Sequence, residues 1–344
     1  MTSLAKCPTH NLWKKSAAIL LIGPGKKGCP AVLTVKRSKK AKFMPTNLVF
    51  PGGLCEASDF SLSWLDTFPQ LRSFAVNPHA TFPDIFINDA PEQAQLQELS
   101  PHVGFRITAI RELVEETGLM MDEKSGKALP VPDNIRKQIH EEPKRFCEIL
   151  KSLNMSPDIF SLHNWSTWLT PLGLKHSSRR YDTQFYVAVV DNIEHLNPTS
   201  DNAEVSTVQF WDIGEILKAA LAGSVLVAPV QMYELSRLLS FKTIDAIREY
   251  AQSRDRLGTE RIFTVKINCS DGAIWVLPGD SLYPEDPDYM GTDDEIFIPK
   301  TVEECMQLYP KHHRMVSPLS SPLINISLNL EQVTPTFATP RSQL

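Results

Sequence analysis

The sequence has no closely spaced cysteine pair, no hydrophobic run long enough to cross a membrane, no excess of positive charge and no internal repeat. Each absence removes a class of protein. The six cysteines, Cys7, Cys29, Cys55, Cys147, Cys269 and Cys305, form no CxxC pair, so a structural zinc site, which draws on close pairs, is not indicated. No secretory signal precedes them, and they read as reduced intracellular thiols. The apolar run at 17–22 has six residues, against the roughly 20 of a membrane-spanning helix. The chain is therefore expected to be soluble, with no membrane partner. Its 35 basic residues are outnumbered by 40 acidic ones, a net charge of −5, which supplies no general attraction to nucleic acid. A phosphorylated ligand would need a local basic patch.

What is present is an ordinary globular composition, 42% hydrophobic and 22% charged over 344 residues, enough to bury a sizeable core. Residues 17–22 read as a buried strand, Gly23-Pro24-Gly25-Lys26-Lys27-Gly28 as a turn, and 31–35 as a second strand. Residues 48–50 make a short strand that ends in Pro51-Gly52-Gly53. Between 58 and 101 lie five prolines and scattered aromatics with no sustained period. This predicts an insertion with little regular structure, and loops of that length tend to be functional. The insertion is expected to form part of the wall of a substrate cleft, where Phe60, Trp64, Phe68, Phe74 and Phe82 could cover a substrate arm; for any single one of them, pinning the insertion to the core is the simpler reading. Ile107, Ile110 and Val114 share a helix face, and Gly118 stands where that helix should stop. Further along, the pattern predicts a helix over 135–153 interrupted near Pro143, strands at 165–170, 183–190 and 205–211, and helices at 213–221 and 229–239. Strands at 261–267 and 273–277 suggest a C-terminal extension. Beyond 317 the Ser, Thr and Pro content predicts poor order.

The chemistry concentrates in Arg111-Glu112-Leu113-Val114-Glu115-Glu116-Thr117-Gly118-Leu119. On a helix, Glu112, Glu115 and Glu116 are i, i+3 and i+4, so three carboxylates share one face. Like charges at this spacing cost a helix a few tenths of a kcal/mol per pair. A hard divalent cation reverses that sign, because it takes carboxylate and phosphate oxygens together. Arg111, four residues before Glu115, can hold that carboxylate. Taken alone, three glutamates are more simply a solvated charged face.

The string Arg111-Glu112-x-x-Glu115-Glu116-x-Gly118 resembles the second half of the Nudix box, and Phe50-Pro51-Gly52-Gly53 resembles the approach to its first half, with Gly53 as the box glycine. Asp59 stands where the family has glutamate, and an insertion of more than forty residues separates it from the helix. The segment Leu33-Thr34-Val35-Lys36-Arg37-Ser38, followed by Phe43-Met44-Pro45, is similar to the motif that precedes the box in coenzyme A-cleaving Nudix enzymes. Together with Trp165-Ser166-Thr167-Trp168-Leu169-Thr170-Pro171 and Arg179-Arg180-Tyr181-Asp182-Thr183, it resembles the peroxisomal acyl-coenzyme A diphosphatase branch, Nudix motif 19.

The resemblance implies an α+β protein with the Nudix fold, an α/β/α sandwich with a mixed sheet. The Nudix domain would span 10–242 with 58–102 inserted into the box, a packed extension 243–316, and a tail 317–344. It implies hydrolysis of the diphosphate of coenzyme A and acyl-CoA to 3′,5′-ADP and (acyl-)4′-phosphopantetheine. Mg²⁺ or Mn²⁺ would be held by Glu112, Glu115, Glu116 and the carbonyl of Gly52. Glu204, ahead of the strand at 205–211, matches an acidic residue that in many Nudix enzymes joins the metal site or acts as base. Arg37 and Arg180 are the candidates for the 3′-phosphate, since a guanidinium offers phosphate a planar fork. The adjacent His312 and His313 are not read as a metal pair. The terminal Ser342-Gln343-Leu344 resembles a variant of the Ser-Lys-Leu peroxisomal address. Hydrolysis of NADH, ADP-ribose or capped RNA, and a non-catalytic binding module, remain as alternatives, and the oligomeric state is left open.

Overall fold

A computed structural model describes residues 13–41, 44–75, 98–170, 180–201, 204–255, 259, 261–289, 295–318 and 325–328. The first half of the chain forms β1 (Lys14–Pro24), β2 (Pro30–Arg37), β3 (Leu48–Val49), β4 (Gly52–Leu54), α1 (Ser63–Thr67), α2 (Leu71–Ala75), α3 (Pro101–Thr117), β5 (Leu119–Asp122), β6 (Lys127–Pro130), α4 (Asp133–Glu141) and α5 (Phe146–Ser152). There follow β7 (His163–Leu169), β8 (Tyr181–Val189), β9 (Val205–Asp212), α6 (Ile213–Leu221), α7 (Pro229–Leu239) and α8 (Ile244–Arg254). The last part contributes β10 (Arg261–Phe263), β11 (Val265–Cys269), β12 (Gly272–Val276), β13 (Ile296–Phe297), α9 (Val302–Leu308), β14 (His313–Pro318) and β15 (Asn325–Leu328).

The run at 17–22 is apolar throughout because β1 is buried on both faces. Ala17, Ile19 and Leu21 enter one core with residues of α1 to α5, while Ala18, Leu20 and Ile22 enter a second core with residues of α6 to α8. Helices on both faces of a sheet require unbroken apolar strands in its middle. The sheet is mixed, ordered β10-β7-β8-β1-β2-β3, with β4 on β1 and β9 on β2. β1 runs parallel to β8 and antiparallel to β2. β2 pairs with β1 only from Ile22 to Pro24, then continues along β9 as far as Arg37 opposite Val205. The edge of β1 that β2 leaves is taken by β4, with Ala18 opposite Gly52 and Ala17 opposite Gly53. This puts the glycines of the box against the middle of the domain.

Among the described residues, the aromatics of the insertion pack inward on the core rather than walling a cleft. Trp64 and Phe68 are buried in the same core as α3, and Trp64 stacks on Phe68 at 5.8 Å and meets Phe146 edge-on at 5.6 Å. Phe60 sits edge-on to Phe105, in space left by Gly104, where a Cβ would lie 2.2 Å from the ring. Burying such rings is worth about 1.5–3 kcal/mol each, more than an exposed aromatic wall offers. The side chain of Phe74 and all of Phe82 lie outside the described residues.

The string around Trp165 and Trp168 is explained by one buried carboxylate. Glu234 of α7, fully buried, accepts from Trp165 Nε1 at 2.6 Å, Ser166 Oγ at 2.6 Å and Trp168 Nε1 at 2.7 Å. The C-terminal part adds β10 to the large sheet beside β7, tied by Arg261 to Asp182 at 2.9 Å, and forms a second sheet ordered β13-β11-β12-β14-β15. β15 falls within the stretch whose composition reads as a tail. Among the described residues, no helix is long and apolar enough to cross a membrane.

Far from forming a surface pair with its neighbour, His313 ties β14 of the second sheet to α7. It is completely buried, with Nδ1 2.7 Å from the Pro278 carbonyl and Nε2 2.9 Å from Tyr233 Oη. A carbonyl can only accept, so Nδ1 carries the proton and Nε2 accepts from the tyrosine. Burial pushes the imidazole down to about 4, against the smaller upward pulls of the Pro278 carbonyl and Asp280. Its folded-state pKa lies below the unfolded value of about 6.5, so the neutral ring stabilises the fold fully above that pH. That contribution, roughly 3 kcal/mol at 1.36 kcal/mol per pH unit, is expected to be lost as pH falls from about 6.5 toward 4. Thermal unfolding across this window should show a clearly shallower pH slope in His313→Gln. Parallel slopes would show that His313 does not carry it.

Candidate active site

α3 begins with a proline in its first turn and ends at Gly118, whose φ of 70° lies in the left-handed region that favours glycine. Its acidic face is not a solvated one. Glu115 and Glu116 are 7% and 5% exposed, and Arg111 2%.

Arg111 is the hub of this face. Its Nε and Nη2 donate to Asp59, each at 3.0 Å, Nη2 also donates to the Leu54 carbonyl at 2.7 Å, and Nη1 donates to Glu112 at 2.8 Å and Glu115 at 2.7 Å. Three carboxylates share one guanidinium, which their charges hold protonated despite burial. Asp59, 1% exposed, also accepts from Thr108 Oγ1 at 2.8 Å and from the Glu56 N–H at 3.0 Å. The residue that the box would have as glutamate is therefore the anchor between the first half of the motif and the helix. The insertion leaves this contact intact. Burial pushes the thiol of Cys55, which follows β4, up to about 12.

Glu112 and Glu116 face β4. Glu116 Oε2 accepts from the Gly52 N–H at 3.0 Å, and a Cβ on Gly53 would lie 2.5 Å from the Glu112 carboxyl. Any side chain at Gly53 would thus collide with the acidic face. Burial pushes the Glu112 carboxyl up to about 7, in spite of Arg111. Burial and Glu112 hold Glu116 well above the ordinary carboxylate range. The Gly52 N–H and Arg37 act against that rise, and Glu204 adds to it. Arg37 and Glu204 are thereby within electrostatic reach of Glu116, brought there by the β2–β9 pairing, which sets Arg37 opposite Val205. The Ser38 N–H donates to the Glu204 carbonyl at 2.8 Å, fixing that corner.

Glu115 is occupied differently: besides Arg111 it meets His140 Nδ1 of α4 at 3.2 Å. His140 and Arg136 of α4 carried no signal in the sequence, since nothing in a short polar helix says what it packs on. Thr108 was not singled out either, although its place three residues before Arg111, on the same helix face, was a signal that could have found it.

Arg180 is not part of this gathering. Its carbonyl accepts from the Lys14 N–H at 2.7 Å and its guanidinium lies 5.8 Å from the Trp13 ring. Along β1 that is four positions from Ala18, roughly 13 Å at 3.3 Å per residue. A groove of about 1150 Å³ lined by Cys29, Pro30, Asp212, Leu217 and Leu239 lies at the opposite end of β2 from Arg37, and shares no residue with the acidic face.

Glu112, Glu115, Glu116 and the Gly52 carbonyl offer only hard oxygen atoms, the donor set of Mg²⁺ or Mn²⁺. Among the described residues no group of three or more His, Cys, Asp or Glu side chains is gathered closely enough to hold a metal ion by itself. Glu112 and Glu116 nonetheless suit such an ion: both face β4, and loss of water raises both carboxyls, Glu112 even beside Arg111. Mg²⁺ characteristically takes one or two carboxylates and completes its shell with water and substrate phosphate.

A glutamate-rich helix locked by an arginine against a Gly-Gly strand, inside an α/β/α sandwich, defines a Nudix hydrolase domain. The family description NUDT19 Nudix domain matches residues 13–238, and NUDT19 C-terminal domain matches 266–322. Acyl-coenzyme A diphosphatase NUDT19 of Gallus gallus is 33% identical over 343 residues, covering 90% of this chain and 90% of that protein. The protein of the same description from Xenopus laevis is 33% identical over 330 residues, covering 88% and 85%. The crystal structure of a NUDIX hydrolase from Alicyclobacillus acidocaldarius matches with a TM-score of 0.53 at 19% identity, over 69% of this chain and 96% of that one, a likeness of fold. The chain belongs to the NUDT19 family of Nudix hydrolases. Nudix hydrolases generally need a divalent metal ion.

Proposed function

We propose that this chain hydrolyses the diphosphate of coenzyme A and its acyl esters, releasing 3′,5′-ADP and 4′-phosphopantetheine or its acyl form, with Mg²⁺ or Mn²⁺ as the ion. The observation that carries the reading is the pair of carboxylates, Glu116 buried and Glu112 partly so, set against Gly52 and Gly53 with Arg37 in electrostatic reach. Relatives at 33% identity described as acyl-coenzyme A diphosphatases support the substrate.

Glu112 and Glu116, with Glu115 and the Gly52 carbonyl, would hold the ion. When bound, such an ion neutralises charge on phosphate oxygens and acidifies a water. Arg111 keeps Glu112 and Glu115 in place and Asp59 keeps Arg111 in place, so the acidic face does not reorganise as the substrate arrives. Glu204 is the proposed base, taking the proton of the water that attacks phosphorus. Arg37 supplies positive charge for the substrate's phosphates. The proposed location is peroxisomal, on the resemblance to that branch, and is open to imaging of a fluorescent fusion; Ser342-Gln343-Leu344 lies outside the described residues.

The test is incubation with Mg²⁺ and a panel of free coenzyme A, a medium-chain acyl-CoA, NADH and ADP-ribose, with products identified by mass. Formation of 3′,5′-ADP from the first two supports the reading; cleavage of NADH or ADP-ribose alone ends it. A second expectation separates the two arginines. Arg37→Ala should raise KM for coenzyme A more than for its 3′-dephospho form, by about tenfold for one lost charge-assisted contact of about 1.5 kcal/mol. Arg180→Ala should do the same only if the bound substrate extends past Lys14. Equal losses on both substrates for both variants would remove the 3′-phosphate from their role.

A further inference from the structure

Two parts of the proposed machinery lie on segments far apart in sequence. Glu112, Glu115 and Glu116 lie near the end of α3, while Glu204 immediately precedes β9. The described residues show what fastens one to the other. Arg136 of α4, 4% exposed, donates from Nε to the Glu115 carbonyl at 2.7 Å and from Nη1 to Thr199 Oγ1 at 3.1 Å. The Thr199 N–H in turn donates to the Thr117 carbonyl at 2.9 Å. Both carbonyls belong to the last turn of α3, which no residue further along the helix can satisfy. A cation at that end also suits the helix dipole. Two residues on, the Asp201 carboxylate accepts from the Val205 N–H at 2.9 Å and the Glu204 N–H at 3.3 Å.

We propose that Arg136 and Thr199 are positioning residues for the reaction: one guanidinium clamps the end of the glutamate helix to the segment that carries Glu204, and so sets the distance between the metal-holding carboxylates and the base. The inference rests on the reading of Glu204 given above and adds the device that places it. The fork geometry is essential. Lysine has the charge but no planar pair of donors to span two acceptors. The position of Arg136 on a separate helix explains why no spacing rule in the box reveals it.

The closing experiment uses the full chain and two readouts. Hydrogen exchange comes first, because it is independent of which diphosphate is cleaved. Thr199→Val removes only the Nη1 arm and leaves the Thr199 backbone bond, so it should speed exchange over 199–205 and leave 113–118 protected. Arg136→Lys should loosen both segments together. The second readout is turnover of the best substrate. Thr199→Val and Arg136→Lys should each lower kcat by roughly ten- to a hundredfold, the scale of a misplaced catalytic group, with KM nearly unchanged. In a Glu204→Gln background Thr199→Val should cost nothing further, because the group it positions is gone. The proposal is overturned if exchange at 199–205 does not respond. It is equally overturned if Thr199→Val retains full kcat, or if the Thr199 and Glu204 losses multiply. Arg136→Lys that restores wild-type turnover would also end it, since charge alone would then suffice. Loss of activity in Glu116→Gln alongside any of these results leaves the diphosphatase reading standing while the clamp falls.

Discussion

Glu112→Gln and Glu116→Gln are each expected to lower kcat by at least about a hundredfold, some 3 kcal/mol of transition-state stabilisation. The change conserves size and helix tendency and removes one charged oxygen ligand. Both side chains face the Gly52–Gly53 strand, and burial has already raised both carboxyls, Glu112 in spite of Arg111 and Glu116 in spite of Arg37. Removing one should therefore leave the metal-free fold unharmed or slightly more stable, because repulsion between them is relieved. Glu115→Gln should cost less in turnover, since its carboxylate is held between Arg111 and His140. Steady-state kinetics with urea unfolding of the same samples decides the point. Near-wild-type kcat in both the Glu112 and Glu116 variants would end the metal-helix argument.

Asp59→Ala should be costly in stability and activity together. Removing one member of a buried ion pair typically costs about 3–5 kcal/mol. Here the loss also strands the Glu56 N–H and leaves the Thr108 hydroxyl only the Gly104 carbonyl as acceptor. Arg111 would keep Glu112 and Glu115 but lose the contact that fixes it to the first half of the box. Asp59→Asn is expected to behave similarly at conserved volume, because an amide nitrogen cannot accept from these donors. Urea unfolding and kcat measured on the same preparation should fall in parallel. An Asp59→Ala protein of unchanged stability and turnover would mean that Arg111 does not need this anchor.

Much of the molecule was legible because local chemistry left few alternatives. The unbroken apolar stretch at 17–22 had to be a strand covered on both faces, and β1 is one. Proline at 229 and glycine at 118 mark a helix start and a helix end that the structure places there. Glu112, Glu115 and Glu116 could be assigned to one helix face from spacing alone.

What spacing leaves undetermined is what each side chain meets, because burial and partner choice depend on segments distant in sequence. The insertion aromatics read equally as a cleft wall or as core, and only the packing of Trp64 and Phe68 against α3 and Phe146 decided for core. Arg180 shares a motif with Arg179 and Tyr181, yet the parallel β1–β8 register carries it away from Gly52. Arg37 and Glu204 come together because β2 leaves β1 for β9, a choice of strand partner that no local pattern encodes. The sequence by itself determined the helix and its acidic face, since these follow from residue type and helical period, while the glycines were joined to it only by the resemblance to the Nudix box. Tertiary structure alone decided that Asp59 anchors Arg111, that Glu115 is shared with His140, and that Arg136 ties the helix to the segment of Glu204. Those contacts exist only once distant backbone segments are held at hydrogen-bond distance by the common core.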